Sequence, residues 1–541
     1  MALQNAAESK KLEGNFEGGP YDVIIIGAGI TGALLAYELA KTSWRVAVVE
    51  KEPDVALGAT KANSGIIHAG YDPEPGSLKA SMNVKGSRLY EGLSRELSFG
   101  YRRTGSFVAA MTEEEEKTLE SLMGRGEKNG VQGLELLEGV QARQLEPHLS
   151  KRVSRVLMAA TTAVVDPWEV AIAALESAVD NGIHLLLETE VTGAVPPGGQ
   201  LHVVRRGQGP PAMEAGSSRA TGASPAPGSS PAPVSEDGLF ELKTTKGSFF
   251  CRVVINAAGI HASELSALIN DGIPEFEMTP RRGQYFVLDK AAGPLVQRVI
   301  YPAPTATGKG VLVIPTLHGN VMIGPDNESL PWDEAEAVQT TAAGLAYVRS
   351  KAELLVPGIP FHLGIANFSG IRAEPSEKDF IIRASRNYPG WIHGAGIKSP
   401  GLSAAPAISQ ALLELIREAL PGYIENPRFS PGRRPRPVLA EMTEAQRIRA
   451  IEAEPRFSNI VCRCEMVSEA EVLDAIRRSV GARSVNGVKR RVRPGAGRCQ
   501  GGFCTPKILE ILSKALEIPE TEIVLEHSGA RMVYPRRGKG L

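Results

Sequence analysis

The sequence predicts an α/β chain: a Rossmann-type unit interleaved with a mixed-sheet α+β part, then a small helical unit at the C-terminal end. Three observations carry this. A buried strand, a glycine fingerprint, a helix and a second buried strand follow one another between Asp22 and Glu50. Strand-like stretches return at 184–191, 249–257, 282–288 and 310–315. Four of the five cysteines fall in the last eighty residues.

Bulk composition narrows the classes first. A chain of 541 residues exceeds one ordinary domain. Sixty Lys plus Arg against sixty-one Asp plus Glu leave a formal net charge of -1, which gives nucleic acid no electrostatic footprint. No stretch reaches the roughly 20 apolar residues a membrane-spanning helix needs. The first twenty residues lack the apolar core of a signal peptide and read as a flexible tail. The expected location is therefore cytoplasmic, peripheral at a membrane only through a partner.

The run Asp22–Ile26 is a continuous apolar strand, of the kind buried on both faces of a parallel sheet. Gly27-x-Gly29-x-x-Gly32 follows, opening a helix over Ala33–Ala40, and Arg45–Glu50 closes the βαβ unit. The first glycine permits the tight turn and the second lets backbone approach a pyrophosphate. The third lets helix and strand pack closely, with the helix N-terminus facing the phosphates. Glu50, at the end of the second strand, suits ribose hydroxyls.

Charged helical segments such as Thr112–Met123 mark a mixed region between 91 and 165. Residues 207–238, rich in Pro, Gly, Ser and Ala, read as a flexible insertion in a surface hairpin. Val253–Gly259 is a buried strand ending in small residues, and Ser399-Pro400 offers a helix start after Trp391–Lys398. Cys251 lies in an apolar strand and reads as an inert core residue.

Residues from about 21 to 420 resemble the D-amino-acid-oxidase-type flavoproteins, which include glycerol-3-phosphate and L-2-hydroxyglutarate dehydrogenases. The matching pieces are the fingerprint, Thr60–Gly70, Asn256–Gly259, Gly370-Ile-Arg372 and Gly396–Leu402. The resemblance implies FAD, with contacts at Gly27, Gly29, Gly32, Glu50, Lys51, Thr60, Asn63, Ser64, Gly259, Gly401 and Leu402.

Oxidising an alcohol needs a base for the hydroxyl proton and cations for an anionic substrate. His68 is the base candidate, since imidazole titrates near pH 6.5; otherwise it is a packed support of the cofactor loop. Arg372 matches the arginine with which relatives bind the substrate's anionic group, and its fork suits phosphate and carboxylate alike. Arg282 and Ser399 are further substrate-binding candidates, and Arg281 and Lys309 could add positive charge. Lys398 is expected near the flavin ring, where a cation would stabilise negative charge.

Cys462 and Cys464 form a C-x-C pair, and Cys499 and Cys504 a C-x₄-C pair. Ser468–Glu471 is a capping box for a helix over 469–480, and Thr505-Pro506 opens another, with Thr505 as N-cap. Zinc favours C-x₂₋₄-C, so the second pair fits zinc and the first does so poorly. The arrangement resembles the bacterioferritin-associated-ferredoxin-type [2Fe-2S] domain, over about 457–515, which implies that all four cysteines hold one [2Fe-2S] cluster. The basic run Lys489–Arg493 reads as a solvated face or as a docking site for an acidic partner.

The expected fold is thus α/β: a Rossmann-type FAD-binding domain interleaved with a mixed-sheet α+β substrate domain, plus a small helical C-terminal [2Fe-2S] domain. FAD-binding parts are expected at about 21–90, 160–270 and 365–425, and substrate parts at 91–159 and 271–364. A linker at 426–456, the cluster domain at 457–515 and an extension at 516–541 follow. The expected activity is FAD-dependent oxidation of a small anionic hydroxylated substrate, sn-glycerol 3-phosphate first. Electrons then pass through the cluster to a protein subunit or a quinone-linked partner. L-2-Hydroxyglutarate, or an amine such as sarcosine or proline, is the alternative substrate. A non-catalytic electron-transfer subunit and a redox sensor are the alternatives of another class.

Overall fold

The computed structural model describes residues 19–204, 238–304 and 310–534. The expected tail as far as residue 18, the insertion as far as residue 237, Lys309 and the end of the extension from residue 535 lie outside them.

Two nine-stranded sheets organise the chain. In the first, Tyr21–Ile26 runs parallel to Val46–Val49 on one side and to Gly247–Asn256 on the other. His184–Leu186 extends it beyond Val46–Val49, and Trp391–Ala395 adds in parallel to the end of Gly247–Asn256. Every residue of Val46–Val49 is buried, as the uninterrupted apolar run requires when both faces are covered. Helix Ile30–Ala40 covers one face, packed against Pro167–Asp180 and Gly401–Ala419. Cys251 is buried in this sheet, as expected.

The second sheet is built around Met278–Leu288, paired antiparallel with Gly364–Pro375 along its length. The first strand expected to return the chain to the cofactor-binding part therefore belongs to the second sheet, and the crossing comes after Pro375. Where the two sheets meet, Gly370 leaves no room for a side chain, since a Cβ there would lie 2.0 Å from the Ala62 carbonyl oxygen.

The C-terminal unit packs helices Glu469–Arg477, Val485–Val492 and Thr505–Leu516 around Val472, Val488, Ile508 and Leu512. The capping box is present, with Ser468 Oγ accepting from the Glu471 N–H and Glu471 accepting from the Ser468 N–H. The N-cap position of the last helix is Cys504 rather than Thr505, with no side-chain capping hydrogen bond, and Thr505 already lies inside the first turn. Ile523 is buried in the same core, so this unit continues past 515.

Residues 426–456 are not a loose spacer. Buried Arg433 pairs with Glu176, and Arg436 with Glu169. Helix Glu444–Ala453 opens with its own capping box at Thr443 and Gln446. No described helix is long and apolar enough to cross a membrane.

Candidate functional site

A cavity of ≈ 1910 Å³ opens between the two sheets. Ordinary small-molecule pockets hold about 300–1,000 Å³, so this one has room for a dinucleotide and a substrate together. Gly27 and Gly29 line its floor, where the N-terminus of helix Ile30–Ala40 opens on it. Gly32 stands behind them with its backbone against the turn: a Cβ there would meet the Gly27 carbonyl oxygen at 2.0 Å. The Ile30 N–H donates to Thr60 Oγ1 at 2.9 Å, which ties the loop 58–64 to the fingerprint turn.

Glu50 accepts from the Ala28 N–H at 2.7 Å and from the Glu52 N–H at 3.0 Å, and its side chain lines the cavity. Burial pushes its carboxyl above the usual range, although both N–H donors pull it down. That is an environment in which ribose hydroxyls would supply hydrogen bonds the carboxylate still accepts. Lys51 lines the cavity as well but pairs with Glu336. Asn63 braces its own loop, donating to Ala59 and Thr60 carbonyls and accepting from the Gly65 N–H. Ser64, Gly259, Gly401 and Leu402 line the same space. The donor set, a glycine turn at a helix N-terminus with a buried carboxylate beside it, fits an extended dinucleotide.

His68, Arg372, Lys398 and Ser399 line the cavity as well. His68 is held by its backbone N–H, which donates to Ser403 Oγ at 2.7 Å, and by Tyr301 Oη, 3.1 Å from Nδ1. Arg372 Nη2 donates to the Asp326 carbonyl at 2.6 Å and Nη1 to Asn327 Oδ1 at 3.2 Å. Its path across the sheet depends on Gly283, where a Cβ would lie 2.3 Å from Nη2. Lys398 pairs with Glu374, so its charge is shared rather than free for the flavin.

Arg282 is corrected. It is buried and paired with Glu328, Nη2 to Oε2 at 2.8 Å, and does not itself line the cavity, whereas the half-exposed Glu328 does. Arg281 lines it instead, in register with Arg372 on the neighbouring strand. Adjacent residues of a strand point to opposite faces, and the face chosen decides which arginine can meet a substrate.

The four cysteines gather at one end of the C-terminal unit. Cys464 Sγ is 3.8 Å from Cys499 Sγ, and Cys462 is hydrogen-bonded to Cys504. That bond from Cys504, together with backbone N–H groups of Gly495, Glu465 and Cys464, draws the Cys462 thiol down to about 6. Among the described residues no three His, Cys, Asp or Glu groups close on a point where a single ion would sit. Thiols approaching in two pairs, with N–H groups aimed at sulfur, suit a two-iron cluster better than one tetrahedral zinc.

The basic run is neither a solvated face nor a docking site. Arg491 is buried and gripped by Asp54, and Arg490 reaches both Asp54, at 3.0 Å, and Glu526. Glu526 in turn pairs with Lys61 at 2.7 Å, and both Glu526 and His527 line the large cavity. The C-terminal extension thus contributes to the wall of the cofactor site, which nothing in its sequence signals. Arg498 donates twice to Asp289, at 3.0 and 3.1 Å, making a second bridge between the two parts.

Comparison with known proteins agrees with both halves. Residues 22–415 match the family model of FAD dependent oxidoreductases, and residues 460–514 that of the BFD-like [2Fe-2S] binding domain. The chain is 39% identical over 510 residues to a glycerol 3-phosphate dehydrogenase of Caloramator mitchellensis, covering 94% of this chain and 97% of that one. It is 31% identical over 312 residues to a mitochondrial L-2-hydroxyglutarate dehydrogenase of Mus musculus, covering 56% and 59%. Dithionite-reduced L-α-glycerophosphate oxidase from Mycoplasma pneumoniae, with FAD bound, superposes with a TM-score of 0.65 at 28% identity, covering 76% of this chain and 98% of that one.

Proposed function

Because this chain belongs to the FAD-dependent oxidoreductase family and carries a BFD-like [2Fe-2S] domain behind it, we propose that it oxidises sn-glycerol 3-phosphate to dihydroxyacetone phosphate. The observation that carries this reading is the likeness to a glycerol 3-phosphate dehydrogenase over 94% of the chain, cluster domain included.

Gly27, Gly29, Thr60, Asn63, Ser64, Gly259, Gly401 and Leu402 would surround the FAD, with Glu50 on its ribose. Cys462, Cys464, Cys499 and Cys504 would hold the cluster. Bound together, the two groups supply a two-electron acceptor and a one-electron carrier. The chain's own residues do the rest. Arg372 and Arg281, side by side on paired strands, take the phosphate, whose oxygens accept from the guanidinium N–H groups. His68 takes the proton from the C2 hydroxyl as the hydride leaves carbon. Lys398, neutralised by Glu374, positions rather than charges the site. Cys464 is exposed, so the cluster end faces an external acceptor, a partner subunit or a quinone-linked protein.

The test is anaerobic mixing of the FAD-loaded protein with glycerol 3-phosphate, L-2-hydroxyglutarate, sarcosine and proline in parallel. Bleaching of the flavin band by glycerol 3-phosphate alone is expected. Bleaching by L-2-hydroxyglutarate in its place would give the site to a carboxylate. Bleaching by none of the four would turn the reading toward a non-catalytic electron-transfer subunit.

A further inference from the structure

Beside His68 lies a second, small cavity of ≈ 20 Å³, lined by His68, Tyr71, Asp72, Asn83 and Tyr301 among others; His68 and Tyr301 line the large cavity as well. Asn83 is 0% exposed, and neither its Nδ2 nor its Oδ1 has a hydrogen-bond partner. Burying an amide without partners is destabilising, and such groups are rare in folded proteins. A polar cavity above about 10–15 Å³ holds one water, provided two to four polar groups meet it. The cavity's ≈ 20 Å³ meets the first condition, and Asn83 and Tyr301 supply polar groups for the second.

The hydrogen-bond arithmetic at His68 gives this water a task. Tyr301 Oη lies 3.1 Å from His68 Nδ1. A neutral imidazole carries one hydrogen, and only the nitrogen without it can act as a base. If Tyr301 donates to Nδ1, the hydrogen sits on Nε2 and the ring cannot take a proton there. If Nδ1–H donates to Tyr301 Oη instead, Nε2 carries the lone pair and no hydrogen, and the tyrosine hydroxyl then needs its own acceptor. The second cavity is where that acceptor can stand.

We propose that Asn83 holds a water which accepts from the Tyr301 hydroxyl, fixing His68 in the tautomer that presents Nε2 as base to the substrate. The water accepts from Tyr301 Oη–H and donates to Asn83 Oδ1. As the substrate's O–H and C2–H bonds break, the hydroxyl proton forms the Nε2–H bond and the O–H electron pair closes the new C=O bond; the C2–H pair would leave as hydride to a bound flavin. The imidazolium that results keeps its Nδ1–H on Tyr301. Asn83 is a positioning residue: it acts on the reaction only through Tyr301. The inference rests on the reading of His68 as the base for glycerol 3-phosphate.

The experiment is a double-mutant cycle on the rate of flavin reduction, with Asn83→Leu, Tyr301→Phe and the pair, in holoenzyme with full FAD absorbance. Each single change is expected to lower the limiting rate by about tenfold, less than the roughly 10²–10⁴ of a base itself, with the substrate dissociation constant unchanged. The double variant should be no slower than Tyr301→Phe alone. Additive losses, or an Asn83→Leu rate equal to wild type, overturn the inference. If Asn83→Leu does not fold, a crystal structure of the wild-type holoenzyme decides: a water within 3.2 Å of both Asn83 and Tyr301 Oη supports it, and a dry cavity refutes it. Wild-type protein that glycerol 3-phosphate fails to reduce would instead refute the underlying assignment.

Discussion

Asp54 and Arg491 form a two-pronged ion pair, Nη2 to Oδ1 at 2.8 Å and Nη1 to Oδ2 at 2.9 Å, between the loop after the Glu50 strand and a helix of the cluster domain. Both side chains are buried. Removing one member of a buried pair leaves an uncompensated charge and costs about 3–5 kcal/mol. Arg490, also on Asp54, softens the loss, so Arg491→Leu is expected near the lower end of that range. It should also weaken FAD retention, since Asp54 anchors the loop between Glu50 and Thr60. The double variant Asp54→Leu with Arg491→Leu should recover part of the stability. Denaturant melts and flavin content after gel filtration measure both.

The same pair gives a pH dependence with a definite sign. Burial alone would raise the Asp54 carboxyl, but Arg491 and Arg490 outweigh it and hold it at about 2. A folded value below the unfolded ~3.9 stabilises the protein above pH ~4, and the contribution is lost as pH falls toward 2. The difference is worth about 2–3 kcal/mol. Unfolding free energies between pH 5 and pH 2 should fall more steeply for wild type than for Asp54→Asn.

His68→Asn should lower the rate of flavin reduction by glycerol 3-phosphate about 10²- to 10⁴-fold, with little change in substrate affinity. Stopped-flow traces over a substrate range separate the two quantities.

The two arginines that adjoin Gly283 or pair beside it should behave differently. Arg372→Met is expected to raise KM for glycerol 3-phosphate roughly ten- to hundredfold, the loss of one charge-assisted contact. Arg282→Met strands Glu328 instead, so its principal effect is a lower Tm. Steady-state kinetics and thermal melts on both variants check the contrast.

Much of this was legible in the residues themselves. The glycine fingerprint reads directly because only glycine fits beside Gly27 and Ala257, where backbone meets backbone. Cysteine clustering reads because thiols are few and their chemistry is narrow. What was illegible depended on partners distant in sequence. Arg491 looked like a surface cation because Asp54 lies 437 residues away. Arg281 and Arg282 differ only in which face of a strand they occupy, and adjacent residues of like type carry no signal of that parity. Tyr301 became part of the site only when the second sheet brought it to His68 from 233 residues further along the chain, and Asn83 reaches the same small cavity from helix Leu78–Leu97. Lys398 lines the cavity from the loop after Trp391–Ala395, but Glu374, its partner, sits on strand Gly364–Pro375, 24 residues earlier.

The central claim is that substrate electrons reach the cluster through this one chain. Rapid-freeze electron paramagnetic resonance after anaerobic mixing with glycerol 3-phosphate tests it most directly, with Cys499→Ser as the control. A reduced [2Fe-2S] signal growing within the turnover time, as flavin absorbance falls, is the expected result; in the control the flavin should still bleach without that signal. A flavin that bleaches at full rate while the wild-type cluster stays oxidised would contradict the account.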